Sequence, residues 1–169
     1  MDYELAYRYG APSRLDEGAG LALATSGGST PEGEAAHPYF FSGFMERPDV
    51  VAAGLLAVAR VARTRFYVPP GMVVAPGGGL TRIGMLDPVV TSTAEGLRFE
   101  SFSVCCGVYA RLDVEASALD ATHRAVGVTN VDVNQPLRAA LASLRAGEPL
   151  HLDVGEEGLT ATTLDEEVS

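Results

Sequence analysis

With 169 residues, 47% of them hydrophobic, the chain is long enough to bury a core without metal or disulfide staples, and it reads as one domain over 1–169. Its formal net charge of -10 excludes a broad electrostatic grip on nucleic acid or anionic lipid, while leaving room for a local basic face. No apolar run reaches the roughly 18 residues of a membrane span, the start Met1-Asp2-Tyr3-Glu4 has no leader character, and the two cysteines, Cys105 and Cys106, are neighbours that cannot build a disulfide framework, so a cytoplasmic protein with reduced thiols and no membrane partner is expected.

Residues 1–18 are turn-rich, with Gly10-Ala11-Pro12 and Asp16-Glu17-Gly18, and little regular structure is expected there or in the acidic end 165–169. That end stops abruptly, as a fragment of a longer protein would. A first strand is expected over 20–25. The run Ser-Gly-Gly-Ser-Thr-Pro-Glu-Gly-Glu makes 26–37 a loop by composition. The aromatic knot Tyr39, Phe40, Phe41 and Phe44 reads as a short helical turn sealing one end of the core, with an exposed aromatic patch as the other reading.

Pro48 with Asp49 marks a helix start, and Val51, Leu55, Val58 and Ala62 recur at the spacing of one buried stripe, which predicts a helix near 48–66 packed on a sheet. Arg60, opposite the stripe, and Arg63, on its flank, should face outward. Val68-Pro69-Pro70-Gly71 stops this helix, and 69–86 reads as a second loop whose glycines lack the Gly-Lys-Ser/Thr ending of a phosphate cradle.

The stretch 97–114 predicts two strands meeting at Cys105-Cys106-Gly107. In the second strand Val108, Ala110, Leu112 and Val114 alternate with Tyr109, Arg111, Asp113 and Glu115, one face buried and one wet. The first strand changes phase at Phe102 and Val104, as a bulge would require. Antiparallel pairing follows, since a parallel strand would be covered on both faces.

Residues 117–120 read as a helical turn and 129–134 as a strand. Asn134 is placed to cap a helix over 135–146, with Pro136 in its first turn and Leu137, Leu141 and Leu144 as the buried stripe. Arg138 and Arg145 share one flank of it. Leu150, Leu152 and Val154 then face Leu159 across Gly155-Glu156-Glu157-Gly158, a hairpin pattern that leaves His151 on the outer face. Two stretches thus share one grammar: a helix with outward arginines, then Asp87-Pro88-Val89-Val90 to Glu95-Gly96-Leu97, or Glu148-Pro149-Leu150 to Glu157-Gly158-Leu159. This internal helix-strand-strand repeat predicts an α+β domain of antiparallel sheets with two amphipathic helices on one face.

In that arrangement 20–164 resembles one domain of a DNA sliding clamp, a processivity fold. The resemblance is carried by Gly96-Leu97-Arg98-Phe99-Glu100-Ser101-Phe102 leading into Val108-Tyr109-Ala110-Arg111-Leu112, and by Gly127-Val128-Thr129-Asn130-Val131-Asp132-Val133-Asn134. It implies DNA-facing helices on an acidic body, hence candidate nucleic-acid contacts at Arg60, Arg63, Arg138 and Arg145, and assembly in several copies to encircle a duplex. A second resemblance rests on Gly20-Leu21-Ala22-Leu23-Ala24-Thr25-Ser26-Gly27-Gly28, on the run from Leu97 through Cys105-Cys106-Gly107 to Asp113, and on Thr129-Asn130-Val131-Asp132-Val133-Asn134. These look like the N-terminal region of bacterial, largely actinobacterial, SWIM zinc-finger family proteins. The finger itself, Cys-x-Cys followed by Cys-x-His, is absent, so its metal site does not carry over.

The chemistry expected is correspondingly spare. No Cys-x-x-Cys or histidine spacing joins Cys105 and Cys106 to His37, His123 or His151, so small buried strand cysteines, no metal, no cofactor and no catalytic residue are expected. Asn130, Asp132 and Asn134 form a polar row on one strand face. The functional expectation is a non-catalytic module that binds other protein subunits or assembles with itself, with weak, sequence-independent DNA contact. The competing expectation is a small-ligand or thiol-redox domain using Cys105 and Cys106.

Overall fold

The computed structural model describes residues 14–16, 20–24, 28–35, 39–66, 87–145 and 147–155. In chain order its strands are β1 (Arg14–Asp16), β2 (Gly20–Ala24), β3 (Gly28–Thr30), β4 (Gly33–Ala35), β5 (Phe41–Met45), β6 (Val89–Thr93), β7 (Gly96–Phe102), β8 (Tyr109–Glu115), β9 (Leu119–Arg124), β10 (Gly127–Asn130) and β11 (His151–Gly155). Helix α1 (Pro48–Arg63) follows β5, and α2 (Gln135–Ser143) follows β10. The result is an α+β architecture with two sheets, ordered β1-β2-β11-β5-β9 and β4-β3-β10-β6-β7-β8. Pairing is antiparallel throughout the described residues except between β2 and β11, which run parallel. No described helix is long and apolar enough to cross a membrane.

Both helices form where the spacing places them. Val51, Leu55, Val58 and Ala62 are buried on α1, and Pro48 opens it, where a missing N–H costs nothing. It ends at Arg63 rather than 66, because Thr64 leaves helical geometry and turns its hydroxyl back onto the Arg60 carbonyl at 2.7 Å. For α2, the Asn134 side chain accepts from the Leu137 N–H at 3.0 Å, the expected cap. Leu137 and Leu141 are buried, while Leu144 is half-buried because the helix stops at Ser143 and Leu144 is extended. Helix α1 lies on β7 and β8, and α2 lies beside α1 and reaches β1 of the other sheet. Inner-face residues of both sheets and both helices share one core, in which each fully buried Leu or Phe is worth about 1.5–3 kcal/mol.

Strands β7 and β8 pair in unbroken register from Gly96 with Glu115 to Phe102 with Tyr109. Strand β8 has the predicted faces, with Ala110, Leu112 and Val114 inward and Tyr109, Arg111, Asp113 and Glu115 exposed. The bulge expected at Phe102 does not form. The inner face continues through Ser101 and Ser103, both buried, and Phe102 points outward. Apolar periodicity misplaces the phase because two inward positions are serines with backbone partners. Ser101 Oγ donates to the Val58 carbonyl of α1 at 2.7 Å, and Ser103 Oγ accepts from the Val108 N–H at 3.0 Å.

Four further expectations are corrected. Within the 26–37 loop, residues 28–35 are the hairpin β3–β4, which extends the larger sheet through Ser29 and Val128. The aromatic knot leads into strand β5 and forms no helical turn: Phe40 and Phe41 are buried, Phe44 is half-buried and Tyr39 is exposed. The turn at Ala116–Ala118 runs directly into β9, whose polar Leu-Asp-Ala-Thr-His-Arg sequence carries no alternation to announce it. Finally, β11 has β2 on one edge and β5 on the other, so no edge remains for the hairpin expected toward Leu159. The first helix-strand-strand unit is therefore present in α1, β6 and β7, and the second is not reproduced among the described residues. Leu159 itself, the 69–86 loop, and the ends 1–13 and 156–169 lie outside those residues.

Candidate functional site

The four arginines divide into two kinds. Arg60 and Arg145 are exposed on their helices or just beyond, as expected. Arg63 is held by Asp87 at 2.9 Å, the carboxylate coming from the chain just before β6. Arg138 is only half-exposed. Burial first, and then the positive charge of Arg63 across the α1–α2 contact, pull its guanidinium below the ordinary arginine value, with Asp87 and Asp132 acting the other way. Its Nε is buried without a hydrogen bond, while a terminal nitrogen donates to Gln135 Oε1. Arg63 and Arg138 thus sit in a mixed-charge seam between the helices. The polar row is also structural, since Asn134 caps α2 and donates to Asp132 at 2.9 Å.

A different surface gathers most of the outward chemistry. On the wet face of β7 and β8, Arg98 and Arg111 both donate to Asp113 Oδ1 at 2.9 Å. Arg111, then Arg98, hold the Asp113 carboxyl below its ordinary value, and Asp113 raises the Arg111 guanidinium. Tyr109 donates to Glu100, which raises the Tyr109 hydroxyl pKa. Phe102 and Tyr109 pack with ring centres 5.0 Å apart and are 51% and 46% exposed. Strand β8 is also the edge of its sheet. Ser103 donates to Val108 at one end of the pair and Ala116 to Glu95 at the other, both at alternating ladder positions. The N–H and C=O groups of Tyr109, Arg111, Asp113 and Glu115 therefore point away from β7, toward an edge that no described strand occupies.

The cysteines lie in the turn joining β7 and β8, not in a strand. Cys105 is half-buried, with its sulfur 3.4 Å from Ser103 Oγ. Cys106 is exposed and has φ +55, a left-handed geometry closed by its N–H donating to the Ser103 carbonyl at 2.7 Å. Val104 ties the turn to α1 by donating to the Thr64 carbonyl. Among the described residues no three His, Cys, Asp or Glu side chains come together as a metal group.

Sequence reasoning missed one cluster on the outer face of the smaller sheet. Ser42 stands opposite His123 on β9 and opposite Asp153 on β11, with His151 two residues along the same face. Ser42 Oγ is 3.4 Å from His151 Nε2, and His151 Nδ1 is 3.1 Å from Asp153 Oδ2. Hydroxyl, imidazole and carboxylate in series is the order of an activated nucleophile. The geometry does not carry that role: the first contact is long, and Nδ1 has no aligned hydrogen bond despite the nearby carboxylate. The flanking N–H groups of Phe40 and Met45 are committed to the Val154 and Leu150 carbonyls and cannot serve an oxyanion. His123 stacks on Tyr39 at 4.7 Å and His151 meets Phe44 edge-on, so the cluster joins strands. Only pairing register could have revealed it, because Ser42 and His151 are 109 residues apart.

Comparisons with protein-family models, curated proteins and solved structures return no match.

Proposed function

We propose that the chain is a non-catalytic assembly module of a SWIM zinc-finger protein, with a clamp-like arrangement of helices and sheets, that joins other protein subunits or further copies of itself. The observation that carries this reading is the β8 edge: seven residues long, unoccupied among the described strands, and bordered by exposed aromatic and charged side chains. A strand edge with free N–H and C=O groups is a pairing template. Sedimentation of the chain across a concentration series tests the reading. Association that rises with concentration is expected, and a chain that stays monomeric and retains no partner would overturn it.

Weak DNA association belongs to the same proposal and now rests on Arg60 and Arg145, since Arg63 and Arg138 have carboxylate neighbours. Each phosphate contact should add about -0.9 to the slope of log affinity against log salt. Replacing Arg60 and Arg145 by glutamate should lower retention of duplex DNA at low salt and flatten that slope. Unchanged retention would remove DNA from the reading.

A second reading, a thiol-redox domain, is favoured by the exposure of Cys106 beside the half-buried Cys105. It predicts a redox-dependent change in mass or activity that is lost in Cys106→Ser. Rapid labelling alone does not distinguish the two, because an exposed thiol reacts in either case.

A further inference from the structure

The side chains along the β8 edge read Tyr109, Arg111, Asp113, Glu115 on the wet face and Ala110, Leu112, Val114 on the inner face. Charges on an edge strand ordinarily discourage pairing. Here their order matters. If a second β8 runs antiparallel to the first about an axis at Leu112, Arg111 falls opposite Asp113 of the other copy, and Asp113 opposite its Arg111. Centring on Arg111, Asp113 or Val114 instead would set like charges face to face, and centring on Ala110 would set Arg111 opposite Tyr109, so only the Leu112 register pairs Arg111 with Asp113 in both directions. That register also fits the backbone. Residues whose N–H and C=O groups point outward then oppose one another as hydrogen-bonded pairs, while Leu112, bonded inward to Phe99 by the same alternation, sits on the axis as a non-bonded pair.

Helix α1 supplies an independent argument. Gly54 rides directly over β8, where a Cβ would come within 2.9 Å of Leu112 Cδ1. At about 100° per residue, Val50, Ala57 and Val61 fall within about 60° of Gly54, on the flank away from Arg63 and α2. Val50 is 46% exposed, Ala57 is exposed and Val61 is half-exposed, so the flank toward the open edge is small, apolar and uncovered among the described elements. With α1 above β7 and β8 and strands about 4.8 Å apart, an added β8 would place the two α1 axes about 10 Å apart, a normal helix packing distance.

We propose that β8 pairs antiparallel with β8 of a second copy, about a two-fold axis at Leu112, joining the two larger sheets into one and packing the Val50, Gly54, Ala57 and Val61 flanks of α1 together. The partner is this same chain, and the contact is isologous. Half-buried Ala110 and Leu112 become covered, and the Arg111 and Asp113 charges of both copies close into a ring of four. The proposal rests on the assembly reading and specifies its surface.

Light scattering and sedimentation equilibrium on the chain and two charge variants test it. The wild-type chain should form dimers. Arg111→Asp alone places carboxylates opposite each other, and Asp113→Arg alone places guanidiniums opposite each other, so each variant should dimerise about tenfold or more weakly. An equal mixture of the two variants restores opposite charges at every pair and should recover dimers. Circular dichroism checks that both variants fold; Arg111→Pro, which removes an outward N–H together with the guanidinium that would face Asp113 and should likewise weaken dimers, replaces either one that does not. A monomeric wild type overturns the proposal. Dimers that persist in both single variants also overturn it, while leaving assembly through another surface intact.

Discussion

Replacing Gly96 by alanine, with Gly33→Ala as its control, separates two costs that usually arrive together. Both glycines have φ values L residues rarely adopt, +145 for Gly96 and +127 for Gly33. Backbone strain of that kind costs about 1–3 kcal/mol. The surroundings differ. A Cβ at Gly33 meets nothing within 4 Å, whereas at Gly96 it runs into the carbonyl oxygen of Val114 and lies 3.1 Å from the Ala116 nitrogen. Those atoms are backbone and cannot rotate aside, so β8 must shift from β7, which adds an overpacking cost of about 1–3 kcal/mol. Central values are about 2 kcal/mol for Gly33→Ala and about 4 kcal/mol for Gly96→Ala. At about 2–4 °C per kcal/mol for a domain of this size, Tm should fall by roughly 6 °C and 12 °C. Scanning calorimetry reads both values. Equal losses would refute the argument that Val114 leaves no room at Gly96.

Asn134→Ala should lose about 1 kcal/mol by removing the cap on the Leu137 N–H, with Asn134→Ser keeping most of it; urea unfolding of the pair checks this, and an unchanged midpoint in the alanine variant would count against the cap. Leu55→Ala, at a fully buried position of α1, should cost about 2–5 kcal/mol by the same measurement. Asp113 is held below its ordinary pKa of 3.8 by Arg111 and Arg98, so its contribution is complete above that value and is lost as pH falls through the lower folded value. The stability difference between wild type and Asp113→Asn should therefore be small, sensitive to salt, and shrink only in that acid window; a difference constant with pH would exclude the ion pairs as its source. Thiol titration of the native chain should modify Cys106 before Cys105, and equal rates would contradict their different burial.

The local elements were legible because their signals are local. Leu55 and Val58 on α1, Leu137 and Leu141 on α2, and Leu112 and Val114 on β8 follow the periods that put one face inside, and Pro48 and Asn134 mark helix starts through groups only a few residues away. Partnership was another matter. Ser101 and Ser103 look outward by polarity and are inward because Val58 and Val108 supply hydrogen bonds, and β9 has no periodicity until β5 pairs with it. Arg63 and Arg138 have outward-looking helical positions, yet the approach of α1 to α2 sets them in one seam with Asp87. Strand β11 shows the same division: its alternation was readable, but inserting it between β2 and β5 left no edge for the expected hairpin. A side chain's face depends on its own period, whereas the identity of its neighbour depends on how distant segments close together, and that is decided by packing the whole core.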